Sequence, residues 1–185
     1  LLTVVENHPY YLFKMLNREE IEKLIKDEQL IEGFIDLNTQ LTPNGIDLTA
    51  ASVFEFDAQG AVDFSSKERV IPEGKEIQPK KKDTNDKFGW WDLKKGIYKV
   101  KTNETVNVPN DLAAMAFTRT SLLRAGAFTQ HGVWDSGFKG KSEFVLVVSN
   151  SFGLKLKQNA RVAQLIFLAI DETKHSYNGI YQNLK

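Results

Sequence analysis

No cysteine occurs among the 185 residues. That excludes a disulfide scaffold, thiolate zinc sites, iron–sulfur clusters and a cysteine nucleophile. An excess of charge is also missing. Lys and Arg number 24, as do Asp and Glu, so no global field steers the chain toward DNA or RNA. No apolar run approaches the ~20 residues of a membrane helix; the longest, 144–148 and 165–170, are strand-sized. What is present is ordinary for a globular chain, with 42% hydrophobic and 26% charged residues. That suits one domain with a real core. The expectation is a cytoplasmic protein with neither nucleic-acid nor membrane partners.

Residues 1–14, LLTVVENHPYYLFK, are mildly apolar. They lack a basic start and are interrupted by Glu6, His8 and Pro9, which argues against a signal peptide. They read as an extension before a domain that begins near Met15, or as an ordered N-terminal strand. Residues 17–29, NREEIEKLIKDEQ, predict an amphipathic helix. Asn17 and Glu20 have capping-box spacing, and Ile21, Leu24 and Ile25 form an apolar stripe. Beyond it come short strands at 47–50, 53–56, 97–101, 103–109, 112–117, 143–149, 154–156 and 162–170, divided by turn residues. This pattern predicts an all-β barrel or jelly roll. Residues 73–95 stand apart, with Lys80, Lys81 and Lys82 followed by Trp90 and Trp91. A nucleic-acid arm with stacking aromatics is one reading. A solvated loop whose tryptophans tuck inward suits the interspersed Asp83, Asp86 and Asp92 better.

Five short segments carry the chemistry. Arg119, Thr120 and Ser121, with Arg124 soon after, set guanidinium beside hydroxyls. They make either a phosphate cradle or a capped helix start with a surface Arg. Residues 132–140, GVWDSGFKG, read as a hairpin with Asp135 at its bend. An Asp there either accepts a proton from water or bonds its own backbone. Phe138 offers a flat apolar face nearby. In 44–50, NGIDLTA, Asp47 follows a turn inside an apolar strand. A part-buried Asp needs a partner, either an Arg or a metal-bound triphosphate. Arg161 and Gln164 flank the last strong strand, with Arg161 read as structural. The aromatic tail 177–182, YNGIYQ, is a flexible lid or a frayed terminus.

Taken in order, NGIDLTA, RTSLLRAGA, GVWDSGFKG, RVAQLIF and YNGIYQ resemble the dUTPase and dCTP deaminase superfamily, and within it the archaeal dUTP diphosphatase branch. The resemblance runs from about Met15 to the end, with 57–96 poorly constrained. It implies a distorted jelly-roll β-barrel over 15–170, a tail over 171–185 that closes on the nucleotide, and a homotrimer with sites between subunits. The implied reaction is dUTP plus water giving dUMP and pyrophosphate, with Mg²⁺ held mainly by the triphosphate.

Roles follow from the same resemblance. Asp135 orients and deprotonates the attacking water. Phe138 packs on the deoxyribose, and Arg119, Thr120, Ser121, Arg124 and Gln164 face the phosphates. Asp47 supports the site, and Tyr181 with Gln182 closes over the triphosphate. The backbone of Gln130, His131, Gly132 and Val133 reads the uracil edge. One departure decides between activities. Where the superfamily's deaminases carry a Glu ten residues after the hairpin Asp, this chain has Val145. A valine can neither shuttle protons nor activate water. Glu143 lies ~7 Å away along a strand, too far to substitute. Asn178 stands where deaminases tend to carry Lys.

Overall fold

The computed structural model describes residues 14–184; residues 1–13 of the expected extension lie outside them. The chain runs β1 (Lys14–Met15), α1 (Arg18–Glu28), β2 (Ile31–Glu32), α2 (Leu37–Gln40), β3 (Leu41–Thr42), β4 (Gly45–Glu55), β5 (Lys75–Glu76) and β6 (Trp90–Leu93). It continues through β7 (Gly96–Asn107), β8 (Leu112–Thr118), α3 (Thr120–Arg124), β9 (Ala127–Gln130), β10 (Lys139–Val148), β11 (Leu154–Lys157) and β12 (Arg161–Ala169). The expected all-β class holds: a curled sheet in the order β1-β12-β4-β7-β10-β9 carries β8 on β12, and β6 pairs with β11. No helix among the described residues is long and apolar enough to cross a membrane.

Helix α1 forms where its local signals put it. The Asn17 side chain accepts from the Glu20 amide at 3.0 Å, and the Glu20 carboxylate accepts from the Asn17 amide at 3.1 Å. The cap is thus reciprocal. Ile21 and Ile25 are the buried residues of its stripe.

Strand β4 corrects the expectation of two strands at 47–50 and 53–56. It is continuous, and its two halves serve different neighbours. Asp47 lies opposite Gln164 of β12, whereas Val53 lies opposite Val100 of β7. A register shift between Ala50 and Ser52 makes the handover, and a second falls between Arg161 and Ala163 of β12. Such bulges bend and twist a strand, which is what joining two sheets requires. Flanked on both sides, residues 45–50 are all buried, so period-two alternation is lost there. Strand β7 likewise merges the expected 97–101 and 103–109. Its inward residues are Tyr98, Val100, Thr102, Glu104 and Val106. The core between the sheets is filled by Phe167, Ile46, Leu48, Leu146 and Leu165, all fully buried.

The segment 132–140 is not a tight hairpin. Strands β9 and β10 pair from Val145↔Gln130 to Val148↔Ala127, and residues 131–138 form their long connection. Trp134 ties that connection to β8, exchanging two 3.0 Å backbone bonds with Ala114. In the 73–95 segment only one of the two tryptophans tucks inward, and Trp90 is half-buried with the Lys82 and Lys157 ammoniums over its ring. Trp91 is fully buried, and its indole N–H donates to the Ile77 carbonyl at 2.7 Å.

Candidate functional site

Two groups of expected site residues form, at opposite ends of β8. The first is built around Asp47, whose buried carboxylate is shared by two guanidiniums. Arg119 Nε lies 2.8 Å and Arg161 Nη1 3.2 Å from the same Oδ2. Arg161 also donates to the Thr39 carbonyl at 2.7 Å, and Arg119 Nη1 to the Arg161 carbonyl at 3.3 Å. Burial pushes the Asp47 carboxyl up, and the two guanidiniums pull it back. Two cations on one anion leave a surplus positive charge at the head of α3. Arg119 is the N-cap of that helix, and its side chain caps nothing. The capped-start reading therefore fails, and Arg119 is instead aimed by Asp47. Thr120, Ser121 and Arg124 are exposed beside it. Gln164, opposite both Asp47 and Phe117, donates to Thr42 Oγ1 at 3.0 Å.

The second group surrounds Asp135. This residue is exposed, and its carbonyl accepts from the Phe138 amide at 3.0 Å, closing a turn. Its carboxylate enters no ion pair among the described residues. The turn is clamped from below: Gly137 donates to the Val108 carbonyl, and Val108 to the Phe138 carbonyl, both at 2.8 Å. Ser136 Oγ donates to the Leu112 carbonyl at 2.6 Å.

Above the turn lies the tail, docked rather than frayed. Tyr177 donates its amide to the Ser136 carbonyl at 2.8 Å and sets its ring edge-to-face on Phe138, centroids 5.5 Å apart. The Gln182 side chain accepts from the Lys139 amide and donates to the Gly137 carbonyl, each at 2.9 Å. Tyr181 stays largely exposed. Gly137 has φ +81, and a Cβ there would stand 2.6 Å from that of Ser176, so this docking requires glycine. Asp135, Ser136, Tyr177 and Asn178 line a cleft of about 500 Å³. Sequence reading missed Ser136 and Tyr177 as wall residues; the aromatic spacing of the tail was the only signal for the latter.

Between the groups lies the segment expected to read a base. Gln130 and Val133 are exposed. The His131 ring packs against Phe144 at 4.5 Å and Trp134 at 5.9 Å between centroids. Its Nε2 is buried without a partner among the described residues. Burial holds the imidazole down at about 4, against an ordinary 6.5. The sign follows. Between those values the unfolded chain takes up a proton that the folded chain refuses, so stability falls as pH drops from about 6.5 to about 4. The loss should be on the order of 3 kcal/mol. His131→Phe should flatten this part of the denaturation midpoint against pH; an unchanged slope rejects the assignment. Next to it, Val145 faces Gln130 across the strand pair. Glu143 is held by Lys99 at 3.0 Å and Lys101 at 3.9 Å, on the neighbouring strand.

One chain does not bring the groups together. Asp135 follows Trp134, which pairs with Ala114. Arg119 lies five residues further along, about 16 Å at strand rise.

Residues 15–170 match the family model described as dCTP deaminase-like. A protein of Methanosarcina barkeri named "Probable deoxyuridine 5'-triphosphate nucleotidohydrolase" is 46% identical over 171 residues, 91% of this chain and 96% of that one. The "Deoxyuridine 5'-triphosphate nucleotidohydrolase" of Methanocaldococcus jannaschii is 34% identical over 143 residues, 77% of this chain and 87% of that one. Among solved structures, the 2'-deoxycytidine 5'-triphosphate deaminase of Agrobacterium tumefaciens superposes with a TM-score of 0.62 at 17% identity. That match covers 85% of this chain and 48% of the other, and its low identity bears on fold alone.

Proposed function

The chain belongs to the dCTP deaminase-like family, and from that premise we propose that it hydrolyses dUTP to dUMP and pyrophosphate rather than deaminating dCTP. Its archaeal relatives named for the first activity align along nearly their whole length. The observation that carries the choice is Val145. At the position where the resemblance puts a deaminase Glu, an apolar side chain faces Gln130. Glu143, two residues away, is paired with Lys99 and Lys101 of the neighbouring strand.

The barrel over 15–170 is the catalytic unit, and 171–185 is the tail that covers the nucleotide. In the proposed reaction a water oxygen attacks the α-phosphorus, the bond to the bridging oxygen breaks, and pyrophosphate departs. Asp135 orients that water and takes its proton. Phe138 offers its ring to the deoxyribose. The backbone over 130–133, which includes Gln130, His131 and Val133, hydrogen-bonds the uracil edge. Arg119 and Arg124, the hydroxyls of Thr120 and Ser121, and Gln164 meet the charge of the leaving group. Tyr181 and Gln182 close over the phosphates. Mg²⁺ arrives as part of the substrate and, when bound, draws charge off the phosphates.

Because Asp135 and Arg119 stand apart within one chain, the proposed site lies between subunits of a homotrimer. Exposed apolar residues around it support such an interface. Phe117 of β8, Leu123 of α3 and Val133 are each more than half exposed, at 55%, 53% and 58%.

The test is pyrophosphate release from dUTP, dTTP, dCTP and UTP, with and without Mg²⁺, beside ammonia release from dCTP. Mg²⁺-dependent release from dUTP, with dCTP silent in both assays, is expected. Ammonia from dCTP, or no pyrophosphate from dUTP, overturns the reading.

A further inference from the structure

Glu104 is fully buried on the inward face of β7, at 0% exposure. A carboxylate in that position has lost its water and needs donors. Among the described residues three reach it, and none carries a charge. Thr49 supplies two: its amide to Oε2 at 2.9 Å and its hydroxyl to Oε1 at 2.5 Å. Gln40 Nε2 donates to Oε1 at 2.8 Å. Burial pushes the Glu104 carboxyl up, and the Thr49 and Gln40 bonds draw it partly back. The partners are themselves anchored. Gln40 Nε2 also donates to the Asp47 carbonyl at 2.8 Å, and its Oε1 accepts from the Ile35 and Asp36 amides at 2.7 and 3.1 Å. Thr49 Oγ1 accepts from Asn103 at 2.8 Å.

This network sits where the strand ladders slip. Register shifts fall between Arg161 and Ala163 against β4, between Ala50 and Ser52 against β7, and between Lys141 and Glu143 against β7. Bulges leave backbone groups without strand partners, and a buried amide must find another acceptor. For Thr49 that acceptor is Glu104. The segment held in this way is the one carrying Asp47: its own carbonyl is bound by Gln40, and the amide two residues on by Glu104. Asp47 in turn aims Arg119 at 2.8 Å.

We propose that Glu104 is a positioning residue for Arg119. Through Thr49 and Gln40 it fixes the stretch of β4 that bears Asp47, and Asp47 sets the guanidinium that meets the phosphates. The inference rests on the reading of Arg119 as a phosphate ligand. It also explains why an acid is needed. Only donors converge on Glu104, so an amide of the same shape must turn an NH₂ group against one of them.

Glu104→Gln is therefore the test, read by calorimetry with dUDP and deoxyuridine and by kcat/KM for Mg²⁺-dUTP. A mispositioned phosphate ligand should lower dUDP affinity and kcat/KM about 10–100-fold, while deoxyuridine affinity is unchanged. Thr49→Val, which removes one donor and keeps the amide bond, should show a smaller loss in the same direction. Val100→Ala, also inward on β7, should lower the melting temperature and leave the dUDP-to-deoxyuridine affinity ratio alone. A wild-type ratio in Glu104→Gln, or equal loss of both ligands, overturns the proposal. If Glu104→Gln does not fold, the ratio in Thr49→Val decides. If the wild-type chain fails to turn over dUTP, the proposed reaction falls, and the affinity ratio still judges Glu104.

Discussion

Asp135→Asn should leave dUTP binding intact and lower turnover about 10²–10⁴-fold, the usual worth of a positioned general base. The two side chains are nearly the same size, and only the carboxylate accepts a proton from water. Asp135 is exposed and enters no ion pair among the described residues, so the exchange removes no internal salt bridge. The turn that holds it is made by backbone, from Phe138 to Asp135 and from Gly137 to Val108, and neither bond involves the replaced group. A fall in kcat with an unchanged dissociation constant is the expected pair of readings. Near-normal kcat removes Asp135 from the role.

Mixing two inactive variants should restore activity. Arg124→Ala removes an exposed cation at the end of α3, and Asp135→Asn removes the base at the far end of β8. If each site takes Asp135 from one subunit and Arg124 from the next, random mixing of equal amounts gives intact pairs at about a quarter of the sites. Pyrophosphate release should then rise from near zero toward that fraction once subunits have exchanged. Verified exchange without recovery rejects a site shared between these two residues. Asp135 follows Trp134, which pairs with Ala114 near the start of β8, whereas Arg124 closes α3 beyond the other end of that strand, so in the proposed homotrimer a site that uses both draws on two chains.

What was legible in the chain follows the range of the interactions. Helix α1 was readable because its cap joins residues three apart and its stripe repeats within eleven residues. That Asp47 needs a partner, an Arg or a metal-bound triphosphate, was also readable, since a carboxylate in an apolar strand must be paired. Which Arg it meets was not, because Arg119 and Arg161 arrive on β8's end and β12 by pairing across the sheet. Strands β4 and β7 looked broken because alternation fails where a strand is covered on both faces or places Thr102 and Glu104 inward. An acid at an inward position reads as an outward one, so Glu104 gave no signal of its own. The separation of Asp135 from Arg119 is hidden more deeply. They are sixteen residues apart in the chain, with α3 and β9 between them, and it takes the Trp134–Ala114 bridge and the Ser136–Leu112 bond to show that they end up toward opposite ends of one strand.

The tail also joins two regions that local patterns treat as separate. Asn183 donates to the Lys139 carbonyl at 2.7 Å, and Lys141 to the Leu184 carbonyl at 2.9 Å, so the last residues lie along the start of β10. Gln182 then reaches across to the Gly137 carbonyl, inside the turn that carries Asp135. The tail's contacts with Gly137 and Phe138 add to the Val108 backbone bonds and the Ser136–Leu112 bond that already hold the Asp135 turn. In the proposed reaction, lifting the tail to admit dUTP removes one support of the Asp135 turn, and the nucleotide's own contacts then take its place.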